Sequence, residues 1–289
     1  MHMRYIIGFL CLIVLQATPA DTPVVIWDPT QTVLSHKPSD IAQEIHISQI
    51  YQDLGLWYGT QVLSHAAYSQ YASQQTMQSE IMYALYTASS GTSGYNNLYP
   101  PYYHGTRVPP IMQQWLTGHT DHDLASTTSY NMLFNNTTLH EYTRSLVPYI
   151  IPIMYSPQQL AQTFRVNEEM CNVVRRLHNR AQHIALSNMH NDLRYYLLER
   201  DDTQKALNLF DAYYTSHDVN ALQPDATIID AIAEKHNTSR HACVIVEAEP
   251  NHHAAWQKQG IRSILHNTLH DTEHRVIHAI NTHNSTTSQ

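Results

Sequence analysis

Asp28 ends a short apolar run, Val24-Val25-Ile26-Trp27, and is followed by Pro29, Thr30, Gln31 and Thr32. A carboxylate fixed at the end of a strand can serve as a nucleophile or a metal ligand, and the two threonines can hydrogen-bond an anion. Other segments end in the same manner. Ile184-Ala185-Leu186 runs into Ser187-Asn188, Val244-Ile245-Val246 runs into Glu247-Ala248-Glu249, and Gln223-Pro224-Asp225 marks a turn between them. A carboxylate, a hydroxyl and a second carboxylate converging at one edge can carry covalent or metal-assisted group transfer. Each residue also has a plainer reading. Asp28 can bond its own backbone in the Pro-Thr turn, Ser187-Asn188 can cap a helix, and Glu247 can be a solvated turn acid.

For these residues to meet, the segments that carry them must be parallel neighbours in one sheet. Apolar runs at Thr22–Trp27, His183–Leu186, Ala212–Thr215, Ala242–Val246 and Arg262–Leu265 read as strands. They alternate with helix patterns at Glu168–Asn179, Arg194–Glu199, Ala226–His236 and Asn251–Gln259. That order predicts an α/β fold with a doubly wound parallel sheet, whose ligand crevice lies at the carboxyl ends of the strands. From about 38 to 158 the pattern is helical instead, with amphipathic stretches at 41–65 and 76–88 and a Gly/Tyr/Pro-rich loop from Ser89 to Pro110. Tyr95, Tyr99, Tyr102 and Tyr103 in that loop can stack on a ligand ring or serve as packing surface. Arg107 reads as a solvated charge.

With these motifs in this order, the chain resembles the haloacid dehalogenase (HAD) superfamily, mostly aspartyl-nucleophile phosphatases with a cap after the first strand. Val25-Ile26-Trp27-Asp28-Pro29-Thr30-Gln31-Thr32 resembles the first motif, Ile184-Ala185-Leu186-Ser187-Asn188 the second, Gln223-Pro224-Asp225 the third and Val246-Glu247-Ala248-Glu249-Pro250-Asn251 the fourth. The intervals are 36 residues from Ser187 to Gln223 and 24 from Gln223 to Glu247. The resemblance implies a Rossmann-like core of residues 21–37 and 159–267, a helical cap at 38–158, and a His-rich helix and tail at 268–289. It further implies that Asp28 attacks a phosphoryl group, that Mg²⁺ sits against Asp28, Thr30 and Glu247, and that Ser187 contacts a phosphoryl oxygen, with Thr32 and Asn188 beside the substrate. Three departures weaken that chemistry. Thr30 replaces the acid two residues after the nucleophile, Gln223 replaces a lysine, and Ala248 removes one acid of the fourth motif. Loss of the acid and the lysine together removes roughly 10³–10⁶ in rate. The expectation is a phosphomonoester hydrolase of weakened or altered activity. The alternatives are a pseudoenzyme that binds a ligand or protein through cap and cleft, and an unrelated exported α/β binding protein.

The 289 residues are 43% hydrophobic, enough to bury a core. A net charge of −8 provides no basic face for nucleic acid, and the 8 glycines form neither a P-loop nor a dinucleotide fingerprint. Residues 1–20 read as a cleaved signal peptide, with Arg4, the apolar run Tyr5–Leu15 and small residues before Asp21, so the chain is expected to be periplasmic or secreted. No run is long enough to span a membrane. Cys171 and Cys243 then read as two buried thiols. His266, His270, His274 and His278 recur at every fourth position, and His119 and His122 flank Asp121, patterns that a metal or a solvated face explains equally. Loss of the leader leaves 20 histidines on a chain of net −9, so acidification toward pH 5 is expected to reverse its sign and tighten its binding to anionic surfaces.

Overall fold

The computed structural model describes residues 22–35, 47–72, 77–90, 99–103 and 105–287. Strand β1 spans Val24–Trp27, where three β-branched residues and a tryptophan favour extended backbone. All four are fully buried, as expected of a central parallel strand covered on both faces. After a 3₁₀ turn at Pro29–Gln31, the two-residue strand β2 (Leu34–Ser35) leads out of the core.

The chain then forms seven helices among the described residues: α1 (Ile47–Leu54), α2 (Leu56–Ala72), α3 (Met77–Ser89), α4 (Pro110–Leu116), α5 (His122–Phe134), α6 (Glu141–Met154) and α7 (Pro157–Thr163). A small antiparallel hairpin, β3 (Tyr102–Tyr103) and β4 (Thr106–Arg107), lies between α3 and α4. Gly55, at φ 76°, provides the left-handed residue that separates α1 from α2. These helices close on their own apolar cluster, including Leu85, Trp115, Leu133, Leu146 and Ile151. Each such side chain contributes about 1.5–3 kcal/mol on burial. The helical run continues to Thr163 rather than ending at 158. Strand β5 (Arg165–Val166) then pairs antiparallel with β2, so the two ends of the insertion meet in one ribbon.

The remainder is a βα series: α8 (Glu168–Leu177), β6 (Gln182–Ser187), α9 (Asn191–Glu199), α10 (Asp201–Leu207), β7 (Ala212–Thr215), α11 (Ser216–Val219), α12 (Thr227–Lys235), β8 (Cys243–Glu247), α13 (Pro250–Lys258), β9 (Arg262–Leu265) and α14 (Leu269–Thr287). The sheet order is β7-β6-β1-β8-β9 with every pair parallel, the doubly wound α/β arrangement of Rossmann-like proteins. Alternate residues face opposite layers. Val25 and Trp27 pack with α8 and α14, whereas Val24 and Ile26 pack with α12 and Trp256.

Helix α9 starts at Asn191, three residues before the sequence pattern placed it, because the His190 ring accepts a hydrogen bond from Asp192 N and caps the first turn. Helix α10 had no counterpart in the sequence reading. Both Cys171 and Cys243 are buried free thiols. The expected signal peptide at residues 1–20 lies outside the described residues, and no described helix is long and apolar enough to cross a membrane.

Candidate active site

Strand β1 is where the strand order reverses: the chain next adds β6 and β7 on one side, then β8 and β9 on the other. In open α/β sheets the ligand crevice forms at that point, outside the carboxyl ends. Asp28 is the first residue beyond β1, and its N–H continues the ladder to Val246 O at 3.1 Å. Ser187 ends β6 and Glu247 ends β8.

Asp28 serves the turn and the crevice together. Its Oδ1 accepts hydrogen bonds from Thr30 N at 3.0 Å and Thr30 Oγ1 at 2.6 Å, while no hydrogen bond to Oδ2 forms among the described residues. Burial pushes the carboxyl up, the nearby Glu247 charge adds to it, and the Thr30 bonds and His252 pull it back, leaving a pKa of about 7. Glu247 is fully buried rather than solvated. Its Oε1 accepts from Ala248 N and Glu249 N, both at 3.0 Å, and its Oε2 from Trp256 Nε1 at 3.4 Å.

The other sequence-derived residues divide between crevice and scaffold. Ser187 Oγ is buried and makes no hydrogen bond of normal length and angle, with the Tyr213 hydroxyl nearby. Gln223 is turned to the scaffold: its Nε2 donates to Leu186 O at 2.9 Å, while the Asn188 side chain binds its backbone N–H at 2.7 Å and its C=O at 3.1 Å. Thr32 donates to Asp28 O at 2.6 Å and does not line the crevice. Its hydroxyl holds the turn instead of a ligand.

His252, outside the motifs, and Glu249 of the fourth motif join the insertion to the core. His252, in the first turn of α13, accepts Tyr102 N–H on Nε2 at 2.7 Å, which leaves its proton on Nδ1, 3.4 Å from Glu247 Oε2. Burial works to lower the His252 pKa, but Glu247, Asp28 and Glu249 together hold it above the ordinary value. Glu249 caps α13 and accepts Gly105 N–H at 2.8 Å. Hairpin β3–β4 is thereby tied over the strand ends. Between them lies a chamber of ≈ 120 Å³ with Asp28, Thr30, Asn188 and His252 on its floor. Its roof and sides come from Met82, Tyr103, Met112, Trp115, Met154 and Phe164. Arg107 points away, bonded to the Tyr86 and Tyr102 hydroxyls.

Magnesium takes near-octahedral oxygen ligands at about 2.0–2.1 Å, usually through one or two carboxylates plus waters and phosphate, and Asp28, Thr30 and Glu247 are the residues that would hold it here. Asp28 Oδ2 makes no hydrogen bond among the described residues, whereas Asp28 Oδ1 and both Glu247 oxygens accept one or two each, and among the described residues no three His, Cys, Asp or Glu side chains form a metal-binding set. That last observation covers the histidine series of α14 and the His119–His122 segment as well. His266 precedes the helix and bonds Thr272, and His119 bonds Thr117.

No protein-family model matches the chain, and no curated protein matches it in sequence. Among solved structures it is similar to a HAD family enzyme from Bacteroides thetaiotaomicron, with 9% sequence identity and a TM-score of 0.48 over 86% of this chain and 94% of that one. The same enzyme in complex with magnesium and inorganic phosphate shows 10% identity and a TM-score of 0.47, over 85% and 94% of the two chains. A HAD phosphatase from Thermococcus onnurineus shows 14% identity and a TM-score of 0.43, over 85% and 86%.

Proposed function

We propose that this chain is an exported hydrolase of the haloacid dehalogenase kind, of phosphatase ancestry and slow, which works through a covalent ester on Asp28. One observation carries the reading. Asp28 stands at the end of the central strand, at the reversal of strand order, with Ser187 and Glu247 at the ends of the flanking strands and a partly open chamber above it.

In this reading Thr30 holds Oδ1 and orients the carboxylate, so that Oδ2 is the attacking atom. Attack on phosphorus forms the Asp28–O–P bond and breaks the ester bond, and the departing alkoxide takes its proton from water. A second water then cleaves the acyl phosphate, returning the carboxylate, phosphate and a proton. Ser187 Oγ has no hydrogen bond of normal geometry and is buried beneath the chamber lining, so in this reading it holds one oxygen of the transferred group once that group reaches the end of β6. Magnesium use rests on the resemblance alone. Slowness follows from the missing acid at Thr30 and from an Asp28 that is half protonated near pH 7.

The test is mass spectrometry of the protein after incubation with acetyl phosphate, with and without Mg²⁺, beside Asp28→Asn. A phosphoryl adduct on Asp28, absent from the variant, is the expected result; a folded wild type that never forms it overturns the reading. A binding module is the second reading. It is favoured by the commitment of Glu247 and Gln223 to scaffold hydrogen bonds. Export is tested by the N-terminus of the mature protein, expected near Asp21. Association with anionic surfaces at low pH draws mainly on exposed histidines, because burial lowers the pKa of His183, His190, His236, His253 and His266.

A further inference from the structure

The chamber above Asp28 differs from its floor in a way that bears on what enters it. Four methionines (Met82, Met112, Met154 and Met189) meet there with Trp115 and Phe164, and no lysine or arginine lines it among the described residues. Thioether and aromatic groups make a soft apolar wall that moulds around a ring or a branched chain. An apolar protein cavity of about 150 Å³ stays dry and takes benzene. At ≈ 120 Å³ this partly open chamber encloses about six heavy atoms of a ligand, so a nucleoside or a disaccharide would be held inside it only in part.

The polar atoms on the floor discriminate further. Thr30 Oγ1 is bonded to Asp28, both ends of the Asn188 amide are bonded to Gln223, and His252 lies between Tyr102 N–H and Glu247. Asp28 Oδ2 and Trp115 Nε1 are open to a ligand, too few partners for a sugar, which would leave several hydroxyls unpaired in this space at about 1–3 kcal/mol for each. A ligand tail with its own negative charge would meet the Asp28 carboxylate, and among the described residues of the lining the group that can become cationic, His252, is turned to Glu247 and the Tyr102 N–H.

We infer that the chamber takes an uncharged aryl or branched alkyl group of about six heavy atoms, with the ligand's polar end toward Asp28. The proposed hydrolase function supplies only the orientation, and the binding itself requires no turnover. The experiment is ligand-observed NMR of toluene with the full mature chain, with glucose as competitor, repeated on Met154→Trp, which fills the chamber, and Met112→Lys, which puts a charge into it. Cooperative thermal unfolding identifies which variants are folded. Toluene is expected to bind the wild type and Asp28→Asn alike, to resist glucose, and to bind at least tenfold more weakly to whichever filled or charged variant folds. A folded wild type that does not bind toluene, displacement by glucose, or undiminished binding in a folded variant overturns the inference. Turnover separates this idea from the hydrolase reading. Toluene binding with no hydrolysis of p-nitrophenyl phosphate removes the hydrolase and leaves the chamber's preference standing. Hydrolysis of glucose 6-phosphate but not of p-nitrophenyl phosphate does the reverse.

Discussion

The floor and the roof of the chamber are built on opposite terms. On and just beneath the floor, buried polar groups are dense but nearly all bonded to the scaffold: Asn188 in the lining to Gln223, and below it Glu247 to three N–H donors and Thr32 to Asp28 O. The roof contributes few hydrogen bonds to the crevice and a large apolar surface from Met112, Trp115 and Met154. Low dielectric makes unpaired polar groups costly, so a floor of this kind must satisfy itself and leave few atoms for chemistry. For the proposed hydrolase, reactivity is then concentrated in Asp28 and Ser187, and the choice of ligand belongs to the insertion.

The sharpest way to break that division is Asp28→Asn, which keeps the Oδ1 acceptor and removes the charge. Covalent adduct and hydrolysis should fall by at least about 10³-fold. Stability should move in the opposite sense. Asp28 has its folded pKa raised from 3.8 to about 7, so the native state binds more protons than the unfolded chain between those values, and stability is lost as pH rises through that window. The variant should match the wild type near pH 4 and exceed it by roughly 2–4 kcal/mol at pH 8. Urea unfolding at both pH values measures this, and an equal difference at pH 4 and pH 8 rejects a raised Asp28. Activity of the wild type should rise with pH through about 7.

Much of the floor was legible in the sequence, and little of the roof. Strands β1, β6 and β8 are short apolar runs closed by polar residues, so Asp28, Ser187 and Glu247 could be placed at strand ends from local pattern alone. His252 and Glu249 could not, because their partners Tyr102 and Gly105 lie 150 and 144 residues away. The roof methionines are spread from Met82 to Met154, each indistinguishable from a core residue of its own helix. Helix α10 is only seven residues long and carries little apolar periodicity, although Asp201 and Asp202 at its start and Lys205 at its end suit the helix dipole. The expected signal peptide and Tyr95 lie outside the described residues.

Glu247 tests whether the floor's bonds hold the fold. Glu247→Ala leaves Trp256 Nε1 and two backbone N–H groups unpaired in the interior and removes the carboxylate beside His252 Nδ1, and should cost about 3–5 kcal/mol in urea unfolding. Glu247→Gln retains the shape without the charge, so the acid limb of any Asp28-dependent activity should shift to lower pH. No shift would mean that burial alone raises Asp28. The roof should respond differently: Met154→Ala should cost about 2 kcal/mol, enlarge the chamber, and favour bulkier aryl ligands over toluene.

The smallest effect discriminates most directly between scaffold and ligand contact. Thr32 occupies the position where the motif resemblance puts a substrate contact, yet its hydroxyl donates to Asp28 O at 2.6 Å from a site 1% exposed. Thr32→Val keeps the branched shape and removes only that donor. If the hydroxyl is scaffold, the variant loses about 1 kcal/mol of stability, and toluene affinity and KM stay unchanged. If it contacts the substrate, KM rises while stability barely moves. The two outcomes differ in sign across two measurements, so even a modest change decides whether the turn after β1 ends at Asp28 or extends the crevice to Thr32.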